Sequence, residues 1–148
     1  MRVQDLIKTK GDIVITVVDT IRIHHAARVM HERGVGALVV LTATGQLKGV
    51  LSEREIVVAV ADHGRYALEE PIAELMPANR PTVGLTDSVR DAMTIMTEQR
   101  VRHLPVLNDG RVVGLISLGD TVKARLTEKI AENEVLQDIA RWPVPAVA

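Results

Sequence analysis

Two short stretches carry most of the chemistry that the 148-residue chain can offer. Ser117-Leu-Gly-Asp120 follows an apolar run ending at Ile116, and Ser52-Glu-Arg-Glu55 follows one ending at Leu51. A strand that ends on Ser and passes into a helix whose third residue is acidic has two uses. The first is a capping box, in which the two side chains satisfy orphan backbone N–H groups. The second is recognition. A helix N-terminus offers free N–H groups and the positive end of its dipole to a phosphate, and the hydroxyl can donate to the same group. The carboxylate one turn along can accept two hydrogen bonds from a vicinal diol. The uses are compatible, because one helix end can be both capped and used. The stretches differ in one methylene. Glu55 stands where the other copy has Asp120, which moves the carboxylate by about a bond length, enough to spoil a bidentate contact. Ser-x-x-Glu is also the better capping box. Arg54 is either a solvated first-turn residue or a compensating reach to a phosphate.

Arg100, Arg102 and His103 form a cationic cluster, which Lys123, one turn after Gly119, can join. It reads as a solvated face or as a phosphate clamp. Other chemistries find little support. With no Cys there is no disulfide, thiolate metal site or Cys nucleophile. His24 and His31 share a helix face seven residues apart, but two ligands without a third make a poor metal site, so no metal is expected. Gly34-Val-Gly36 ends a helix instead of opening one and is no dinucleotide fingerprint. No phosphate loop, nucleophile elbow or His-Glu-x-x-His is present, and no nucleophile is paired with a base, so an enzyme is not expected. A net charge of -1 and only two aromatic residues, Tyr66 and Trp142, argue against nucleic acid as a partner. The longest apolar run, Ile56 to Ala61, is far too short to span a bilayer, and Met1 to Lys10 lacks the continuous apolar stretch of a targeting segment. Cytoplasmic location is the default expectation.

The elements that must position these residues come from an internal repeat. A shift of 66 positions lays Thr16-Val17 on Thr82-Val83, Ala26 on Ala92, Met30 on Met96, Leu38 on Leu104 and Val40-Leu41 on Val106-Leu107. After a turn the shift becomes 65, laying Gly49 on Gly114 and Ser52 on Ser117. Each copy reads strand, helix, strand, strand, helix. The first strands are expected at Ile13–Val18 and Thr82–Leu85, and amphipathic helices at Ile23–Arg33 and Val89–Gln99. Then come paired strands at Ala37–Leu41 with Leu47–Leu51, and Leu104–Leu107 with Val112–Ile116 around the Asn108-Asp109-Gly110 turn. A second helix follows each Ser. The expected division is an N-terminal helix in 1–12, repeats in 13–72 and 77–134, and a helix end and tail in 135–148. Pro71, Pro77 and Pro81 punctuate the link, Thr121–Ile139 reads as a long helix, and Trp142-Pro-Val-Pro145 as a tail. A lone unit of about 60 residues buries too little surface to be comfortable. Two packed sheet to sheet about a pseudo-twofold axis solve that, and create two equivalent clefts at strand ends, where ligands favour binding.

Thr82-Val83, Val101-Arg-His-Leu-Pro-Val106, Asn108-Asp-Gly110 and Val113-Gly-Leu-Ile-Ser-Leu-Gly-Asp120, in that order, resemble a CBS domain, the cystathionine-β-synthase-type repeat. Gly34-Val-Gly-Ala-Leu-Val-Val40 and Gly49-Val-Leu-Ser-Glu-Arg-Glu-Ile56 match in the first copy, so residues 10 to 130 resemble a stand-alone CBS pair, or Bateman module. The resemblance implies an α/β fold of two β-α-β-β-α repeats, with the N-terminal helix and a C-terminal helical extension added. It implies a regulatory module without catalysis that binds an adenosine-containing ligand between the repeats: AMP first, then NAD(H), ADP, ATP or S-adenosylmethionine. Asp120 and Glu55 would take the ribose; Ser117, Ser52, Arg54, Arg100, Arg102, His103 and Lys123 the phosphate. Thr82, Val83, Leu104 and Pro105, with Thr16, Val17, Ala37 and Leu38, would line the adenine pockets. A flat homodimer formed through the helices is implied too, which the surplus apolar surface of Ala92, Met93, Ile95 and Met96 and of Ile56 to Ala61 suits. An unidentified protein target is the further partner. The other reading is a dimeric interaction scaffold with one or both clefts vestigial.

Overall fold

A computed structural model describes residues 1–77 and 80–143. The elements are α1 (Val3–Lys10), β1 (Thr16–Val18), α2 (Ile23–Arg33), β2 (Ala37–Leu41), β3 (Leu47–Ser52) and α3 (Glu53–His63). Two 3₁₀ turns follow, Gly64–Glu69 and Ile72–Leu75, then β4 (Val83–Gly84), α4 (Val89–Gln99), β5 (His103–Asn108), β6 (Arg111–Ser117) and α5 (Leu118–Arg141). The strands form two three-stranded sheets, β1-β2-β3 and β4-β5-β6. In each, the first strand runs parallel to the second and the second antiparallel to the third. Both antiparallel pairs slip register one residue from the same place, at Val40/Leu41 and at Val106/Leu107. The duplication thus extends to its irregularities.

The helices form where the apolar spacing requires. Ile23, Ala26 and Met30 bury one face of α2, as Val89, Ala92 and Met96 do for α4. Gly34 closes α2 in the left-handed conformation at φ 64°. At the same place after α4 stands Arg100, held at φ 54° although it has a side chain. The opening strands are shorter than the sequence pattern suggests. Ile13 is 84% exposed, and the β1 ladder begins only at Thr16, opposite Val39. Leu85 leaves its ladder because its carbonyl accepts the Gln4 N–H at 2.9 Å. At the other end of the chain α5 begins directly after Ser117, as expected, and runs two residues beyond Ile139. Ser117 caps it, and Trp142 terminates it before Pro143. Residues 144–148 of the expected tail lie outside the described residues.

Each sheet and its helices enclose a separate aliphatic core. Leu38, Val40 and Leu51 meet α2 in the first unit, and Leu104, Val106 and Ile116 meet α4 in the second. Alternation along a strand turns the intervening residues the other way. Ala37, Val39 and Pro105 are buried on those opposite faces, and β3 runs against β5. The sheets therefore pack face to face.

The leading segments are exchanged. Val3, Leu6 and Ile7 of α1, which precedes the first unit, belong to the core of the second. Ile72, which precedes the second unit, belongs to the core of the first. The hydrogen bonds match one for one. Val3 N–H to Asp87 O and Gln4 N–H to Leu85 O in one unit correspond to Ile72 N–H to Ile21 O and Ala73 N–H to Asp19 O in the other. A glycine admits each segment. A Cβ on Gly114 would lie 2.5 Å from Ile7 Cδ1, and one on Gly49 would lie 2.8 Å from Met76 Cε.

Candidate functional site

The β6–α5 junction builds the site. Ser117 ends β6 in extended conformation, so its side chain meets the first turn of α5. Its Oγ accepts the Asp120 N–H at 3.1 Å, and Asp120 Oδ2 accepts the Ser117 N–H at 2.8 Å, completing a capping box. A third partner comes from a distant part of the chain. Lys10, the last residue of α1, places Nζ 2.5 Å from the same Oδ2 and 2.7 Å from Leu115 O. Oδ1 makes no hydrogen bond among the described residues. Burial opposes ionisation of Asp120, but the hydrogen bonds from Lys10 and Ser117 outweigh it and hold the carboxyl below its usual range. A fixed anion with one open oxygen is therefore presented beside the helix end.

His103, the first residue of β5, stands at the seam between the units. Burial, and after it the Lys10 ammonium, push its pKa below 6.5, against the pull of Asp120 and Glu55. It is thus neutral at pH 7, one ring nitrogen able to donate and the other to accept. Both carboxylates, one from each capping box, thus pull on the same histidine. In the first-unit box Glu55 Oε2 accepts the Ser52 N–H at 2.8 Å and also the Ser52 hydroxyl, so this longer carboxylate meets its own cap through one oxygen, as Asp120 does.

A cavity of about 660 Å³ opens beside the second box. Arg102, His103, Ser117, Gly119 and Lys123 form its polar head, and Val122, Leu126 and Ile130 carry it along α5. Asp120 flanks this cavity instead of lining it. A second cavity, about 360 Å³, lies at the start of α2 against Arg22, His24, His25, Arg28 and Glu69, away from Ser52 and Glu55. No group of three metal-ligating side chains occurs among the described residues, and no described helix is long and apolar enough to cross a membrane.

The family model that matches is the CBS domain, over residues 3–62 and again over 72–127. The chain belongs to the CBS-domain family. Both matches begin on the exchanged leading segments, at Val3 and Ile72. The CBS-domain containing protein ATU1752 from Agrobacterium tumefaciens is similar in structure, with a TM-score of 0.80 and 40% identity over 84% of this chain and 92% of that one. The CBS-domain protein PAE2072 from Pyrobaculum aerophilum, solved in complex with AMP, has a TM-score of 0.71 and 29% identity over 81% of this chain and 89% of its own. In sequence, the mitochondrial CBS-domain protein CBSX3 of Arabidopsis thaliana is 30% identical over 144 residues, 90% of this chain and 69% of that protein.

The CBS pair brings together Arg102, His103, Ser117 and Lys123 around one cavity, with Asp120 at its flank. It does not bring Arg54 or Arg100 there. Arg54 is exposed in the first turn of α3, and Arg100 is exposed as the cap of α4. Leu38, Val83 and Leu104 spend their side chains on the two cores, so only their backbone can face a ligand. Ala37 and Pro105 are buried, and Val17 packs against the first core. Thr16 opens β1, and Thr82 precedes β4. Lys10 is the residue that the sequence pattern missed. Its side chain reaches Asp120 across a separation of 110 residues, and only the exchange of leading segments brings it there.

Proposed function

We propose that this CBS pair is a non-catalytic regulatory module that binds one adenosine-containing ligand per chain at the second-repeat site. AMP is the first choice, with NAD(H), ADP and ATP next. One observation carries the reading: Asp120 is held ionised with Oδ1 uncommitted, beside Ser117, His103 and Arg102. An open carboxylate oxygen suits a ribose hydroxyl, and the cationic head of the cavity suits a phosphate. PAE2072, 29% identical, is the AMP-bound relative that supports the choice of nucleotide. Glu55, one methylene longer than Asp120 and bonded to both the N–H and the hydroxyl of its own cap, supports occupancy of one site and a vestigial first cleft. Homodimerisation through α3 and α5 belongs to the same proposal. Val57 is 66% exposed, Leu126 59% and Ile130 60%, more apolar surface than a lone module usually leaves bare.

Calorimetric titration and a thermal-shift panel of AMP, ADP, ATP, NAD, NADH and S-adenosylmethionine test it. A bound ligand at 100 times its Kd stabilises by about 2.7 kcal/mol. We expect one ligand per chain, lost in Asp120→Asn and unchanged in Glu55→Gln. Two ligands per chain, binding that survives Asp120→Asn, or turnover of the nucleotide would each refute part of the reading. No shift from any ligand would leave only the scaffold.

A further inference from the structure

We infer that Lys10 is a positioning residue of the nucleoside site: reaching over from the exchanged leading helix, it fixes Asp120 Oδ2 so that Oδ1 is left aimed for a ligand hydroxyl. The inference rests on the proposed ligand class and deepens it. Lys10 Nζ is 2.5 Å from Asp120 Oδ2 and 2.7 Å from Leu115 O, so two of its three N–H donors are committed in different directions. An ammonium held at two points is a rigid clamp. With the Ser117 N–H it takes up one oxygen of the carboxylate and leaves the other. Among the described residues no ammonium reaches Glu55, whose Oε2 takes both bonds from its own cap. The two boxes share one local geometry, and an ammonium from the exchanged segment stands at the second.

The test uses the full chain and two probes, adenosine and AMP, titrated against wild type, Lys10→Met and Lys10→Arg. If Lys10 acts through Asp120, Lys10→Met weakens both probes by the same factor, about tenfold for a lost charge-assisted hydrogen bond. Lys10→Arg, which keeps the charge, recovers most of that loss. Unchanged or tighter adenosine binding in Lys10→Met overturns the inference. So does a loss confined to AMP, which would make Lys10 a phosphate contact. So does an Arg variant as weak as the Met variant. If wild type binds neither probe, the nucleotide of the panel that does bind replaces AMP and the same variants are read; if none binds, the ligand class itself falls, an outcome distinct from all of these.

Discussion

Gly114→Ala should loosen the exchanged α1, and the size of the effect can be worked from one contact. The added Cβ would sit 2.5 Å from Ile7 Cδ1, 3.4 Å from Ile7 Cγ1 and 3.6 Å from Val106 Cβ. Carbon atoms rest at about 3.5–4.0 Å, so the first distance is short by about 1 Å while the other two are close to tolerable. Ile7 is only 8% exposed and packed into the second core, so its methyl has little room to retreat. Overpacking of this kind costs about 1–3 kcal/mol. Ile7→Val deletes the offending Cδ1 and alone costs about 0.5–1.5 kcal/mol. The double variant should then be little worse than Ile7→Val, a favourable coupling of about 1 kcal/mol or more. Urea denaturation of the four proteins, with m values compared, measures the cycle. Additivity within about 0.5 kcal/mol, or a neutral Gly114→Ala, would refute the claim that this glycine exists to admit α1.

Two further outcomes follow from the site and from the surface. His103 has its folded pKa held below 6.5 by burial and by Lys10, so the unfolded chain takes up that proton first, and stability should fall as the pH drops below 6.5. Asp120 has its folded pKa below 3.8, so its contribution is present above that value and disappears as the pH falls through the lower one. His103→Gln should therefore flatten the urea midpoint between about pH 7 and pH 5 without altering the loss in strong acid, and an unchanged slope would count against the assignment. For the proposed dimer, Val57→Glu or Leu126→Glu should convert a species of twice 16.2 kDa into a monomer by light scattering. Wild type already running as a monomer would remove that interface.

Much of the fold was legible because aliphatic periodicity and duplication reinforce one another. Ile23–Arg33, Ala37–Leu41 and Val89–Gln99 read directly as elements, since Ile23, Ala26, Met30, Leu38 and Val40 each meet a buried apolar residue 66 positions on, which leaves little room for an accidental pattern. The opening strands were over-extended because Ile13 and Leu85 look like strand residues locally. Pairing depends on partners, which no local window contains. The site was half legible. Ser117 and Asp120 show in a four-residue spacing fixed by helix geometry, and the Glu55 difference shows in one methylene. Lys10 does not show. A Lys at the end of a short amphipathic helix reads as a solvated last-turn cation, and its target lies in the other repeat. Arg100 reads as part of a cationic patch, and what the sequence pattern does not show is its backbone's second task as the left-handed cap of α4.

The exchange also determines what the duplicated module can do as a whole. Val3 and Ile72 are both fully buried, and each is delivered to its core by the segment that leads into the other unit. Burying a side chain of this size contributes about 1.5–3 kcal/mol, so a unit separated from its twin would lose that anchor as well as the sheet-to-sheet contact. The α1 segment that supplies Val3 also carries Lys10, and residues 11–15 run from there straight into β1 of the first unit. A ligand held by Asp120, as proposed, would therefore meet the second unit at the β6–α5 junction and, through the Lys10–Asp120 contact, the segment that leads into the first. In that proposal the coupling between the halves is supplied by a swapped helix and one ammonium.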